Sequence, residues 1–177
     1  MVHILAGILS LMQHKQSQEL NPHRLERCLY CGRLRPWLHG YYPRKADRSI
    51  SQDDSLNPVF IQRYYCPGCR RASSVLPECL PPHRWYLWEV QQLALMLVLA
   101  GTSLCAAAKE IAPSRCTIGR WVSRFKEQLH LHKDVLCGHF IDLGQHVGFG
   151  AFWQACQDKI SLAQAMRLCH VAGVPVP

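Results

Sequence analysis

Acidic residues are scarce in this sequence, and their scarcity narrows the range of expected partners. The chain of 177 residues has 12 Asp and Glu against 20 Lys and Arg, which gives a formal net charge of +8 and a pI near 9.1. This excess of positive charge favours a polyanionic partner such as nucleic acid. The 49% of hydrophobic residues argues against disorder throughout, and the length fits one sizeable domain or two small ones.

Long apolar runs are also missing. The run from Met1 to Met12 contains His3 and is shorter than the roughly 20 residues of a membrane helix. Residues 85–100 include Glu89 and two glutamines, so they do not form a membrane span either. The first residues lack the charged segment and the cleavage site of a secretory signal. We therefore predict no membrane association, and we expect the 10 cysteines to be reduced in a cytoplasmic protein.

The spacing of four cysteines predicts a metal site. Two C-x-x-C pairs, Cys28 with Cys31 and Cys66 with Cys69, are separated by 34 residues, and each pair offers two sulfurs from one tight turn. This pattern is typical of one structural Zn2+ site with four thiolate ligands, which is closed and has no catalytic position. Bound iron of the rubredoxin type and a redox dithiol in a single pair are the chemical alternatives. Further candidate ligands, which a complete tetrahedron leaves without a role, are His39, His83 and Cys79.

The residues around the two pairs predict a zinc ribbon over residues 21–76. Segments 37–42 and 59–65 are rich in aromatic and β-branched residues, which favours two strands of a long hairpin. Gly32 and Gly68 permit the backbone turns that wrap a metal.

Three further segments complete the predicted domain organisation. Residues 1–20 have the apolar spacing of an amphipathic helix, and the proline-rich residues 77–84 are expected to form a stiff connector. Residues 134–177 predict a helical tail with two short helices, the second of which begins at a capping box of Ser161 and Gln164.

Residues 85–133 predict a trihelical helix-turn-helix domain. Helix one covers about 85–100, and the hydroxyls of Ser103 and Ser114 are expected to cap helices two and three. Pro113 ends helix two and leaves a turn of only three or four residues. The apolar stripe of helix three, at i, i+3, i+4 and i+7, consists of Ile118, Trp121, Val122 and Phe125.

The polar and basic side chains outside that stripe are the predicted DNA contacts. On helix three they are Ser114, Arg115, Thr117, Arg120, Arg124 and Lys126. Further candidates, expected to contact phosphates from the ribbon, are Arg44, Lys45, Arg70 and Arg71. A helical hairpin whose arginines are simply solvated is the alternative interpretation. The histidines and the cysteine between His130 and His146 could also form a second metal site. Their spacing is loose, however, and is more typical of core or solvated histidines.

These segments together resemble the zinc-ribbon and helix-turn-helix region of bacterial insertion-sequence transposases and related small transposase-like proteins. The resemblance covers roughly residues 28–129. Its motifs are CLYCG, WLHGYYPR, RYYCPGCRRASSVLP and AGTSLCAAAKEIAPSRCTIGRWVSRF. The residues that match the transposase recognition helix are Ser114, Thr117, Ile118, Arg120 and Trp121. The turn departs from the family pattern, because Ala112 and Pro113 stand where a glycine and a branched apolar residue are usual.

The resemblance does not extend to the catalytic domain. Transposases of this kind cut DNA with a triad of carboxylates that holds two metal ions. After helix three, about fifty residues remain here, too few for that domain. The acidic residues from the end of helix three onward are Glu127, Asp134, Asp142 and Asp158. We therefore predict a protein that is not an enzyme.

The sequence thus predicts an α+β protein with a small four-cysteine zinc ribbon, a trihelical helix-turn-helix domain and a short helical C-terminal tail. The resemblance implies a sequence-specific double-stranded DNA-binding protein of a mobile element. Such a protein would recognise element ends for a separately encoded transposase or recombinase, or regulate the element as a homodimer. An interaction adaptor with only non-specific nucleic-acid affinity is the alternative, since segments 4–12 and 149–176 are apolar. An adaptor would lose its complexes, but not DNA binding, when residues 148–177 are deleted.

Overall fold

The structure, a computed structural model, describes residues 2–5, 24–45, 58–82 and 85–177. Strands precede helices in these residues, so the predicted α+β class is confirmed. The chain divides into an N-terminal unit, Met1–Leu87, and a helical unit, Trp88–Pro177. Among the described residues, no helix has both the length and the apolar character that a membrane span requires.

Four strands of the described residues form one sheet in the N-terminal unit. In chain order they are β1 (Val2–Leu5), β2 (Trp37–Arg44), β3 (Val59–Cys66) and β4 (Arg71–Pro77). Their spatial order is β1-β4-β3-β2, with β3 antiparallel to both neighbours and β1 parallel to β4. The two predicted strands are confirmed as β2 and β3. Strand β4 was not predicted, because its first residues, Arg-Ala-Ser-Ser, lack the β-branched and aromatic side chains that favour strands.

The predicted N-terminal helix is wrong for the residues that the structure describes. Val2–Leu5 forms strand β1, which pairs in register from Val2 with Ser74 to Leu5 with Pro77. Backbone hydrogen bonding to the free edge of β4 favours an extended chain there, and Val2 is β-branched. Residues 6–20 of the predicted helix lie outside the described residues.

Residues 77–82 of the predicted stiff connector are buried in the N-terminal unit. Pro77 ends β4, and the following Cys79 and Leu80 are buried against Val59, Ile61 and Leu76. Pro81 is also buried, and its carbonyl accepts a hydrogen bond of 2.6 Å from the Arg44 Nη2. The apolar side chains of Cys79 and Leu80 extend the core beside the sheet. The Pro81 carbonyl, which is not part of a strand, is free to accept from a side chain. The division between the units falls after Leu87, beyond the predicted connector.

The helical unit contains six α-helices and one 3-10 helix. In chain order they are α1 (Trp88–Leu99), α2 (Leu104–Glu110), α3 (Arg115–Glu127), α4 (Leu129–His139), the 3-10 helix Ile141–Gln145, α5 (Phe149–Lys159) and α6 (Leu162–Val171). The three helices predicted over 85–133 correspond to α1, α2 and α3, and the two predicted in the tail correspond to α5 and α6. Helix α4 was not predicted as a separate element, because it begins after Gln128 without a side-chain cap and the sequence has no start signal there.

The last two helices are part of the core of the helical unit. Phe152 and Trp153 of α5 and Met166 of α6 are fully buried, and the Trp153 ring meets Phe125 of α3 edge-on at 5.0 Å. The capping box of Ser161 and Gln164 is present at the start of α6. The helices of the tail predicted over 134–177 therefore pack within the helical unit, where Trp153 contacts Phe125 of α3.

Burial also explains His132 of α4. Its ring is fully buried, lies 6.1 Å from the Phe125 ring and 5.5 Å from the Trp153 ring, and its Nε2 is 3.3 Å from the Pro175 carbonyl oxygen. Burial lowers the pKa of His132, against the opposing effect of the Pro175 carbonyl. The described residues contain no converging group of metal-ligand side chains between His130 and His146. His132 is a core histidine.

Candidate metal centre and nucleic-acid interface

The first cysteine pair lies in a tight backbone turn that precedes β2. The Gly32 N–H donates to the Cys28 carbonyl at 2.9 Å, and the Cys28 N–H donates to the Arg33 carbonyl at 2.8 Å. Gly32 has a φ of 70°, in the left-handed region that glycine adopts without strain. The Tyr30 N–H points at the Cys28 Sγ from 3.4 Å. The turn thus places a backbone N–H donor at the Cys28 sulfur.

The second pair lies in the turn between β3 and β4. The Arg70 N–H donates to the Cys66 carbonyl at 2.8 Å, and Arg70 takes a φ of 55°. Gly68 has a different role from the one predicted, because its φ is not positive. A Cβ at Gly68 would lie 2.9 Å from the Arg33 Cδ and 3.6 Å from the Cys66 Sγ. Gly68 therefore allows the first turn to approach the second closely.

The two turns bring the four predicted cysteines together. The sulfurs of Cys28 and Cys69 are 3.6 Å apart, those of Cys31 and Cys66 are also 3.6 Å apart, and all four lie within 4.8 Å of one another. Four sulfurs at about 2.3 Å from a tetrahedral metal would lie about 3.8 Å apart. The geometry and the donor set therefore fit a single metal ion held by these four side chains.

The pKa values of Cys28 and Cys69 are shifted in opposite directions. Burial opposes ionisation of Cys28, but hydrogen bonds from the backbone N–H groups of Tyr30 and Cys31 and from neighbouring thiols lower its pKa to about 6. Burial raises the pKa of Cys69 to about 11, and its bonds to the other cysteines act in the same direction. The cluster therefore stabilises a thiolate at neutral pH, which is the ligand form that metals bind.

Other cysteines and histidines lie away from this centre. Cys79 is buried among apolar side chains of the sheet, and the exposed ring of His39 lies 5.8 Å from the Tyr65 ring. His83 lies outside the described residues. Burial raises the pKa of both Cys156 and Cys169 to about 12, so they are inert core thiols in the helical unit.

The short turn between α2 and α3 has the local structure that its sequence predicted. The Ser103 Oγ accepts a hydrogen bond from the Ala106 N–H at 3.2 Å, and the Ser114 Oγ accepts one from the Thr117 N–H at 3.4 Å. Four residues, 111–114, join the helices. The predicted apolar stripe of α3 is buried, with at most 7% exposure at Ile118, Trp121, Val122 and Phe125.

The opposite side of α3 is basic and accessible. Arg115, Arg120 and Lys126 are exposed, whereas Thr117 and Arg124 are half-buried. Three arginines, Arg115, Arg120 and Arg124, line an open groove of about 500 Å³, together with Leu104 of α2.

Hydrogen bonds hold two of these arginines in place. The Arg120 guanidinium donates from Nε to the Cys116 carbonyl at 3.3 Å and from Nη2 to the Thr117 Oγ1 at 3.4 Å, and the Thr117 Oγ1 lies 3.1 Å from the Ser114 Oγ. Arg115 donates to the Cys105 Sγ at 3.6 Å. The basic face is therefore partly pre-organised.

The four candidate phosphate contacts of the N-terminal unit have different surroundings. Lys45 and Arg70 are exposed, and the Arg71 guanidinium lies 4.9 Å from the centre of the Tyr30 ring. Arg44 is half-buried with its guanidinium on the Pro81 carbonyl, and burial lowers its pKa. Arg44 thus has a structural role in the sheet. Arg70 and Arg71, which follow the second cysteine pair directly, extend the positive charge around the metal centre.

Sequence reasoning missed the exposed aromatic and apolar side chains on the two faces of the hairpin, with Trp37 on one face and Leu38, Tyr41 and Phe60 on the other. Trp37, Leu38, Tyr41 and Phe60 are 50–63% exposed on β2 and β3, although their types favour burial. Tyr64 of β3, by contrast, is buried in the hairpin. Strand propensity predicts a strand but not which of its side chains remain exposed, so the sequence carried no signal for this exposure.

Comparison with known proteins identifies a family without a named function. No curated protein and no solved structure matches the chain. Residues 28–121 match a family model described as a domain of unknown function, DUF6431. The match begins at the first cysteine of the metal centre, ends within α3, and covers just over half of the sequence. The chain belongs to this DUF6431 family.

Proposed function

We propose that this protein is a zinc-stabilised, sequence-specific reader of double-stranded DNA. In this proposal α2 and α3 form a helix-turn-helix, α3 enters the major groove as the recognition helix, and the N-terminal unit is a zinc ribbon. The observation that supports it best is the contrast between the two sides of α3. One side is a buried apolar stripe, and the other has Arg115, Arg120 and Arg124 along an open groove.

The geometry of Arg120 supports base reading rather than charge alone. Its guanidinium is held by the Cys116 carbonyl and the Thr117 hydroxyl at the helix surface. A guanidinium fixed in this way loses less conformational freedom when it makes a bidentate contact to guanine O6 and N7. Arg115 and Arg124 flank it, and Lys126, Arg70, Arg71 and Lys45 are left for phosphates.

Zinc is the metal that the donor set favours. Four thiolates in a tetrahedral arrangement are typical of structural Zn2+, and four protein ligands leave no open coordination position for a substrate. Zinc bound there would contribute to folding and would not take part in chemistry. We accordingly propose a binding protein and not an enzyme.

The cellular role in this proposal follows from the resemblance to insertion-sequence transposases. A cytoplasmic DNA reader of a mobile element would recognise element ends for a separate transposase or recombinase, or repress the element as a dimer on a symmetric site. The adaptor alternative has lost part of its support. Phe152, Trp153 and Met166, from the apolar segment 149–176, are buried inside the helical unit. The other apolar segment, 4–12, lies mostly outside the described residues.

The test is Arg120→Ala, measured by fluorescence anisotropy on DNA from the flanks of the gene and on random duplexes, at two salt concentrations. We expect a loss of about 1 to 3 kcal/mol on flank DNA and a much smaller loss on random DNA. Lys159→Ala is the matched control, since it removes one positive charge from the same unit at an exposed ion pair with Asp142. Equal losses on both DNAs would reduce Arg120 to a phosphate contact. Equal affinity of the wild type for both, abolished by salt, would favour the adaptor.

A further inference from the structure

One end of a sheet face in the N-terminal unit, next to Cys66, has aromatic side chains that no part of the proposed duplex-reading mechanism uses. Trp37 pairs with Tyr65 across β2 and β3, and the His39 ring lies 5.8 Å from the Tyr65 ring at 43°. Trp37 is 63% exposed, and Tyr65 is half-buried. Directly opposite residues of an antiparallel pair share a face, so three ring systems lie together on one side of the sheet.

The neighbouring β4 positions leave this end of the face open, whereas Val59 and Ile61 at its other end are buried. Across β3, Tyr65 pairs with Ala72 and Arg63 pairs with Ser74, and neither of these small β4 side chains is buried. The Arg63 guanidinium lies 6.0 Å from the centre of the Tyr42 ring on the same face. Trp37, His39, Tyr65 and Arg63 therefore form what we call the stacking face.

Charge indicates the occupant of the stacking face. The described residues of the N-terminal unit include nine Lys and Arg but only two acidic residues, Glu26 and the buried Glu78. A second copy of the chain would bring the same positive charge, whereas a nucleic-acid strand would bring the opposite one. Single-stranded nucleic acid binds to surfaces of this kind, because unpaired bases stack on aromatic rings and the phosphates interact with nearby arginines.

We propose that the stacking face binds single-stranded nucleic acid by base stacking on Trp37, His39 and Tyr65, with Arg63 at the backbone. This site is separate from α3 and recognises a different form of nucleic acid, so it does not depend on duplex reading. A duplex keeps its bases stacked on one another and offers no free base face to these rings.

The experiment uses the full-length zinc-loaded chain and oligonucleotides of about 12 thymidines or 12 uridines, a length within the span that single-strand sites cover. Of the five tryptophans, Trp88, Trp121 and Trp153 are buried, and Trp85 is the other exposed one at 54%. In a Trp85→Phe background, stacking on Trp37 should quench the remaining exposed tryptophan. Whichever oligonucleotide binds more tightly identifies the natural strand as DNA or RNA.

Variants separate stacking from general charge. Trp37→Ala should lower the single-strand affinity about tenfold, and Trp37→Phe should largely restore it. Trp85→Ala is the control at a tryptophan that is also more than half exposed, and it should not change the affinity. Arg120→Ala should leave single-strand binding intact, so failure of duplex reading and failure of this site are distinguishable. Unchanged oligonucleotide binding by Trp37→Ala overturns the proposal. An equal loss of duplex affinity in Trp37→Ala would also overturn it. If Trp37→Ala lost only self-association, the occupant of the stacking face would be a second copy of the chain, and the proposal would again be wrong.

Discussion

The N-terminal unit and the helical unit differ in what fills their interiors. In the N-terminal unit, one cluster of buried residues contains Val59, Ile61, Leu76, Cys79 and Leu80, and a smaller one contains Leu25, Tyr64 and Val75. In the helical unit, the buried side chains include large aromatic rings in mutual contact. Phe125 and Phe152 both meet Trp153, with ring centres at 5.0 and 5.3 Å.

This difference bears on how each unit is stabilised. Buried apolar area scales with the size of a core, and small cores often need a metal or a disulfide in addition. The N-terminal unit exposes Trp37, Leu38 and Phe60 while four cysteines converge at one end of its sheet. The helical unit exposes Arg115 and Arg120 and buries Phe125, Phe152 and Trp153. We therefore expect metal to decide the folding of the first unit and packing to decide that of the second.

The largest effect is expected from Cys66→Ser. Loss of one thiolate should prevent metal binding, and structural zinc supplies on the order of 10 kcal/mol to a small metal-dependent fold. Hydrogen exchange followed by mass spectrometry should show β3 and β4 unprotected while α3 and α5 keep their protection. Metal content should fall together with that protection.

The matched control is Cys116→Ser, which changes an exposed cysteine of α3 in the same way. This variant should retain both metal and strand protection. A soluble Cys66→Ser protein without metal and with an unchanged melting temperature would contradict a stabilising metal, and loss of protection in both units would remove the contrast between them.

Phe125→Ala should give the converse result. The Phe125 ring is fully buried against Trp153 and His132, and truncation of such a ring costs about 3 to 5 kcal/mol. Urea unfolding of the helical signal should shift to lower denaturant, with metal content unchanged. Ile141→Ala, at a side chain that is 87% exposed, should shift it by about 0.5 kcal/mol or less. Release of metal from Phe125→Ala would show that the units fold as one.

Local patterns account for what the sequence predicted. Each C-x-x-C pair folds into its own turn, and the hydroxyls of Ser103, Ser114 and Ser161 reach backbone N–H groups only three residues away. These features depend on neighbours in the chain, so a sequence encodes them directly. The buried stripe of α3 is similar, since its period follows from helix geometry.

Contacts between distant residues account for what was missed. Strand β1 depends on the edge of β4, far along the chain, and the burial of Cys79 and Leu80 depends on β3. His132 resembles a ligand in sequence but is enclosed by Phe125 and Trp153 from two other helices. Each of these partners lies more than a helical turn away in sequence. Periodicity and motif spacing describe only near neighbours, so they do not predict these contacts.

The smallest effect, and the finest test of the contrast, is expected from Ser114→Ala. This change removes the hydroxyl that accepts from the Thr117 N–H, and loss of such a cap costs about 1 kcal/mol. It also removes the 3.1 Å contact to the Thr117 hydroxyl that receives Arg120, so flank-DNA affinity should fall as well. Ser123→Ala is the control: it makes the same change at an exposed position inside α3, where alanine is the better helix former. We expect thermal unfolding to show a lower stability of the helical unit only for Ser114→Ala, with metal content equal in both variants. Equal stability of the two would mean that the start of α3 is held by packing of its buried stripe and not by its cap.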